Sequence, residues 1–269
     1  MCYFPRKLKN HHFLNCIGII ISCFFINSAF AASSEPSIQT PGADLANFPN
    51  SAFTLPQGRA YLESSSYNYS SRTRNDMPAQ ISSGYLLRYG LLDDLEVRLM
   101  SNGYTWVDNE NKTNGLSPQI LDVKWHLLDE NKDSSLPAIG IEVSVQSNWG
   151  ASAFKSNYWL PALSLNFDQT LPFDIAFEYN LGFISQENAQ GKKEYQLALS
   201  WALQREVFED VAVFVNGYTN TGNGLTTSAV GAGLQWTPLQ RVAFFTNLSA
   251  GLTQITPNFS ALVGFAIAF

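Results

Sequence analysis

Beyond residue 31 the chain has no cysteine and a single histidine, His126; Cys2, Cys16, Cys23, His11 and His12 all fall in the opening segment. The absence of thiols excludes disulfides, thiolate metal sites and a cysteine nucleophile. One histidine cannot make a two-histidine metal site, so no metal or other cofactor is expected. A Ser-His-acid site needs a histidine base beside its serine, and His126 stands next to Lys124 with no strained serine turn nearby. The chain therefore reads as non-enzymatic. Charge is scarce too: charged residues make up 14% of the chain, against roughly 25% in ordinary soluble domains. Long apolar runs are missing, which excludes a bundle of membrane helices of about 20 residues each. What is abundant is aromatic: 19 Phe, 11 Tyr and 6 Trp. Few charges, many aromatics and average hydropathy exclude disorder and fit apolar residues spread along one face of many strands.

Residues 1–31 read as a cleaved signal peptide. Arg6, Lys7 and Lys9 form a basic start, Phe13 to Ile26 a mostly apolar run, and Ala29-Phe30-Ala31 a small-x-small cleavage site. Ile20-Ile21-Ser22-Cys23 loosely resembles a lipobox, but it would leave Phe24-Phe25-Ile26 directly behind a lipidated cysteine. Cleavage removes three of the 16 basic residues and none of the 22 acidic ones, so the formal charge falls from −6 to −9. That sign argues against nucleic acid as a partner.

Residues 32–58 form a polar leader with Pro36, Pro41, Pro49 and Pro56, read as irregular chain in the periplasm or plugging a lumen. From residue 59 to 269 apolar and polar residues alternate in segments of about ten, the pattern of a transmembrane β-barrel. Ile139, Ile141, Val143 and Val145 alternate with Gly140, Glu142, Ser144 and Gln146. Phe173, Ile175, Phe177, Tyr179, Leu181 and Phe183 do the same, as do Tyr195, Leu197, Leu199, Trp201 and Leu203. Helical spacing at i, i+3, i+4 and i+7 is absent. A soluble β-sandwich also alternates, but its outer face would be charged. Here the second face is rich in Gly, Ala, Ser, Asn and Gln, and large aromatics such as Tyr89, Trp125, Trp159, Phe167, Trp201 and Trp236 sit near segment ends.

The spacing predicts an all-β, antiparallel up-and-down barrel of about twelve strands: 59–69, 79–91, 95–103, 118–127, 138–147, 157–167, 173–183, 194–203, 211–218, 228–236, 241–251 and 259–269. Short connections (92–94, 168–172, 237–240) would face the periplasm and long ones (70–78, 104–117, 184–193) the exterior; 128–137 and 204–210 are long for periplasmic turns. Gly222-Asn223-Gly224 reads as a loop tip, and Gly231-Ala232-Gly233 as a small-residue lumen face rather than a phosphate loop. Phe269 ends an alternating strand, which suits recognition by the barrel assembly machinery of the bacterial outer membrane. Outer-membrane lipid and a small-molecule solute are the other expected partners.

With the apolar face toward lipid, the opposite parity puts Arg88, Glu96, Arg98, Asp122, Lys124, His126, Glu142, Asp174 and Glu178 in the lumen. A three-residue turn at 92–94 sets Arg88 opposite Arg98, with Glu96 one inward position nearer the turn, and Asp122 and Lys124 at similar heights on the next strand. Arg88, Glu96, Arg98, Asp122, Lys124, Glu142 and Glu178 are the candidate pore-lining charge cluster. They suit either a network bracing the wall or a charged constriction screening solutes. The function expected is a channel for passive passage of small solutes. The alternative is a non-transporting structural or surface-binding barrel.

Three stretches carry a family resemblance: Leu45 to Gly58 leading into Tyr61-Leu62-Glu63; Leu86-Leu87-Arg88-Tyr89-Gly90-Leu91 with Leu95-Glu96-Val97-Arg98-Leu99; and Asp122-Val123-Lys124-Trp125. Their order resembles the outer-membrane transporter family named for the meta-pathway of phenol degradation. An Arg-Pro-Asp-x-Thr-Glu-like opening found in many members is absent. The resemblance implies transport of small, including aromatic or hydrophobic, molecules, and it transfers no binding residues.

Overall fold

A computed structural model describes residues 35–269, apart from residue 189. The expected signal peptide lies outside the described residues. The described residues form thirteen strands: β1 (Ala60–Ser70), β2 (Gln80–Leu92), β3 (Leu95–Val107), β4 (Asn114–Leu116), β5 (Ile120–Leu128), β6 (Ala138–Gln146), β7 (Leu160–Leu171), β8 (Ile175–Glu187), β9 (Lys193–Phe208), β10 (Val211–Gly222), β11 (Leu225–Leu239), β12 (Val242–Gly251) and β13 (Phe259–Ala268). Twelve of them form one closed antiparallel barrel in which each pairs with its neighbours in sequence and β1 closes on β13. The three-residue β4 pairs only with the outer end of β3, through Tyr104↔Leu116. At the seam the Phe269 amide donates to the Ala60 carbonyl at 2.8 Å, so the last residue completes the closure that leaves no bare sheet edge.

Alternation produces an inside-out protein. On β5, Leu121, Val123 and Trp125 are 53%, 43% and 51% exposed, whereas Asp122 and Lys124 between them are 3% and 0% exposed. The exposed apolar belt continues through Leu87, Val143, Leu181, Leu199, Val230, Leu248 and Val263. A continuous apolar exterior over polar interior positions places the barrel in the bacterial outer membrane, with lipid as its solvent.

The twelve expected segments all appear; β3, β7, β8, β9, β10 and β11 run longer than expected, and the others match or fall one residue short. Residues 204–210 are not a long connection: β9 runs to Phe208 and β10 starts at Val211, leaving a two-residue turn. Asn223 and Gly224, both at positive φ (50° and 78°), make the equally tight β10–β11 turn, which Asn-Gly favours. Asp174 is not in the lumen. With Phe173 it sits at positive φ in the β7–β8 turn, exposed to solvent. Alternation misassigns it because the chain leaves extended geometry there and strand parity no longer applies.

The apolar core is not made by the barrel alone. Ile38, Ala46 and Leu55 from the leader pack with Tyr61 of β1, Phe214 of β10, Ala243 and Phe245 of β12, and Ala266 and Ala268 of β13. Residues 35–58 thus lie within the barrel and give its inner wall something to bury.

Candidate functional site

The site is built where the leader meets the charged wall. Across β2, β3 and β5 the register sets Arg88 opposite Arg98, Gly90 opposite Glu96, Glu96 opposite Lys124, and Arg98 opposite Asp122. Like-charged arginines tolerate facing each other because carboxylates reach between them. Arg88 Nε donates to Glu96 Oε1 at 2.7 Å and Nη1 to Glu63 Oε1 at 3.0 Å. Arg98 Nε donates to Asp122 Oδ2 at 3.0 Å, and its Nη2 also contacts Asp122 and Glu142. Asp44 from the leader enters the middle of this set. Its Oδ2 accepts from Arg98 Nη1 at 2.7 Å and from Lys124 Nζ at 2.6 Å, and its Oδ1 lies 3.5 Å from Arg88 Nη1. Burial pushes the Asp44 carboxyl upward, but Arg88, Lys124 and Arg98 together hold it well below the usual carboxylate range. Charges removed from water this completely persist only when paired on every side.

The acids of the wall also hold the leader, through its backbone amides and its asparagine side chains. Glu63 accepts from the Leu45 amide at 2.8 Å, and Glu96 from the Leu55 amide at 2.8 Å. Asp168 accepts from the Ser51 hydroxyl at 2.6 Å and the Ala52 amide at 3.2 Å. Asn50 donates its side-chain amide to both Glu142 oxygens at 2.9 and 3.0 Å, and exchanges backbone–side-chain bonds with Asn180 at 2.6 and 2.8 Å. Glu178 accepts from Asn47 at 3.0 Å. His126 faces inward; its Nδ1 lies 3.0 Å from the Ala52 carbonyl, its Nε2 3.0 Å from Asp129, and its ring stacks on Phe53. Two glycines let the leader's backbone touch the wall. A Cβ on Gly90 would fall 2.2 Å from the Pro56 carbonyl oxygen, and one on Gly140 2.6 Å from that of Ala52.

All seven residues of the expected cluster lie on the inner face. Arg88, Glu96, Arg98, Asp122, Lys124 and Glu142 are drawn into one ionic network; Glu178 stands apart, on the leader's amide side chain. Asp44, Glu63, Asn50 and Asp168 complete the site, and strand parity does not single them out. Asp44 and Asn50 belong to irregular chain. Glu63 sits on a bulged strand whose inward row includes the apolar-looking Tyr61. Asp168 falls within β7, which extends to Leu171 rather than ending at 167.

Toward the side of the longer loops the lumen opens into a cavity of 360 Å³. Its floor is Phe48 and Asn50 of the leader, with Glu142 beside them, and its wall includes Ser144, Ser164, Asn180, Ser200, Tyr218 and Asn220. Phe48 meets Tyr218 edge to face, ring centroids 4.9 Å apart.

Several solved structures share this architecture. An outer-membrane channel from Pseudomonas putida F1 superposes with a TM-score of 0.60 at 14% identity, over 82% of this chain and 99% of that one. A KdgM porin in complex with disordered oligogalacturonate gives 0.54 at 10% identity, over 78% and 99%. The translocator domain of the autotransporter NalP from Neisseria meningitidis gives 0.51 at 10% identity, over 80% and 90%. At such identities the likeness is one of fold. No curated protein sequence matches this chain. The sequence model of one family does match, from the leader to the last residue of the barrel: over residues 43–269 the chain belongs to the family described as "Putative MetA-pathway of phenol degradation".

Proposed function

We propose that the protein is an outer-membrane channel for the passive passage of small solutes, with residues 35–58 as a plug seated in its lumen. The observation that carries this reading is the outward-open cavity floored by the leader itself, at Phe48 and Asn50. Twelve strands enclose more space than the filled eight-stranded barrels and less than sixteen-stranded porins, and the leader occupies the periplasmic part of it. The seven-residue cluster lines the path beneath that floor and anchors the leader while it is seated. The channel and porin among the structural relatives have the same barrel, and the family description suggests solutes related to aromatic catabolism. The barrel assembly machinery recognises β13, with Phe269 exposed at its end. Planar-bilayer conductance of refolded protein, with and without candidate aromatic acids, tests the channel. A barrel that stays silent both intact and after removal of residues 35–58 is a structural element, not a transporter.

A further inference from the structure

The cavity above the leader has a chemistry of its own. Cross-strand register aligns Asn180, Ser200 and Tyr218 in one row across β8, β9 and β10, and Asn220 stands one inward position above Tyr218. Ser144 faces them from β6. Leu163 and Leu199 reach the cavity only through their backbone, because their parity turns the side chains to lipid. The inward surface therefore interleaves amides and hydroxyls with the apolar side chains of Ala162, Ala198 and Ile184, and carries one aromatic edge where Phe48 meets Tyr218.

Charge decides what such a surface accepts. Among the described residues the cations of the lumen are Arg88, Arg98 and Lys124, all buried and already engaged by Asp44, Glu63, Glu96, Asp122 and Glu142. None lines the cavity, and the one charged residue that does, Glu142, is an acid. An anion entering would lose water and meet a carboxylate, with no cation to replace the lost hydration. Asn50, Asn180, Ser164 and Ser200 are already bonded within the wall or to the leader; a monohydric aromatic would satisfy at most one of Ser144, Tyr218 and Asn220 and leave the others facing its apolar ring. A neutral ring bearing several hydroxyls satisfies them and lays its C–H face on the aromatic edge.

We propose that this cavity is a binding site for a single uncharged polyhydroxylated ring, of monosaccharide size. The volume of 360 Å³ lies at the small end of ligand pockets, roughly 300–1,000 Å³, which suits one ring rather than an oligomer. Ser144, Tyr218 and Asn220 are the recognising side chains, since they take no part in the bonds that tie the leader to the wall. This rests on the channel reading for its meaning as a solute site and departs from it on the solute, since the cavity takes a neutral polyol rather than the aromatic compounds that the family description suggests.

Binding is measured by titration calorimetry on the refolded full barrel, with methyl glucoside, glucuronate and phenol as separate probes, and conductance is recorded on the same preparation. Methyl glucoside binds, glucuronate at least tenfold more weakly, and phenol does not compete. Asn220→Leu and Ser144→Val each weaken methyl glucoside by about fivefold, the worth of one hydrogen bond, while Leu248→Val on the lipid face changes nothing. Two variants on different strands guard against one that misfolds, which heat-modifiable gel mobility reports. Glucuronate or phenol binding as tightly as the glucoside, no glucoside binding, or unchanged affinity in both folded variants overturns the assignment. A barrel that conducts without binding the glucoside loses this site and keeps the channel; one that binds without conducting loses the channel and keeps the site.

Discussion

Asp44 Oδ2 lies 2.7 Å from Arg98 Nη1, a contact between residues 54 apart in the chain that joins the irregular leader to the barrel wall. The same oxygen takes the Lys124 ammonium at 2.6 Å. The leader's other carboxylate, Glu35, meets only the exposed Arg241 of the β11–β12 turn, at 3.2 Å, so Asp44 is the buried electrostatic clasp of the inner segment.

Asp44→Ala removes the clasp and leaves three buried cations with one acid fewer. Breaking a buried ion pair costs about 3–5 kcal/mol, and the remaining acids hold the loss toward or below the lower end. The leader loosens, and the expected result is a higher or noisier conductance with a lower thermal midpoint. Identical single-channel traces from variant and parent would show that Asp44 does not hold the plug.

Gly90→Ala and Gly140→Ala test the same docking by shape rather than charge. Each added methyl would collide with leader backbone, at 2.2 Å for Gly90 and 2.6 Å for Gly140, while strand pairing in β2 and β6 needs no glycine. The barrel should assemble and show its heat-modifiable mobility, yet residues 35–58 should become accessible to protease from the periplasmic side. Continued protection of the leader in both variants would mean that the wall yields instead.

The lumen charges separate a conducting path from a brace. Glu142 lines the cavity and contacts Arg98. Glu142→Gln and Glu96→Gln should move reversal potentials under a salt gradient toward anion selectivity, because each removes a negative charge from a confined, poorly screened space. Arg98→Gln should move them the opposite way. If all three retain the parental reversal potential and only lose thermal stability, the cluster is a brace outside the path.

On the outer face, Val143→Arg and Phe177→Arg should impair insertion into bilayers by roughly 2–4 kcal/mol if near the midplane. Ala176→Ser, of opposite parity on β8, should fold nearly as the parent does. Folding yields in lipid vesicles check this, and equal penalties on both parities would contradict the exposure of Val143 and the burial of its neighbour Glu142.

The amino-acid sequence by itself determined the barrel: twelve alternating segments, the lipid-facing parity, the opposition of Arg88 to Arg98 and the inward placement of the charged cluster. Those follow from a local rule, since a strand's side chains alternate and lipid accepts only one of the two faces. Asp174 and residues 204–210 fall where that rule is silent, at turns whose positive φ or tightness depends on how far each strand stays paired. Only the tertiary structure decided what fills the lumen. Asp44, Asn50 and Ser51 carry no periodic signal, and their partners Arg98, Glu142, Asn180 and Asp168 lie about a hundred residues or more away in most cases. Pairings of that kind arise from closure of the sheet, which brings distant strands around one short segment. Buried charge and unpaired backbone amides then leave the leader a single way to be satisfied.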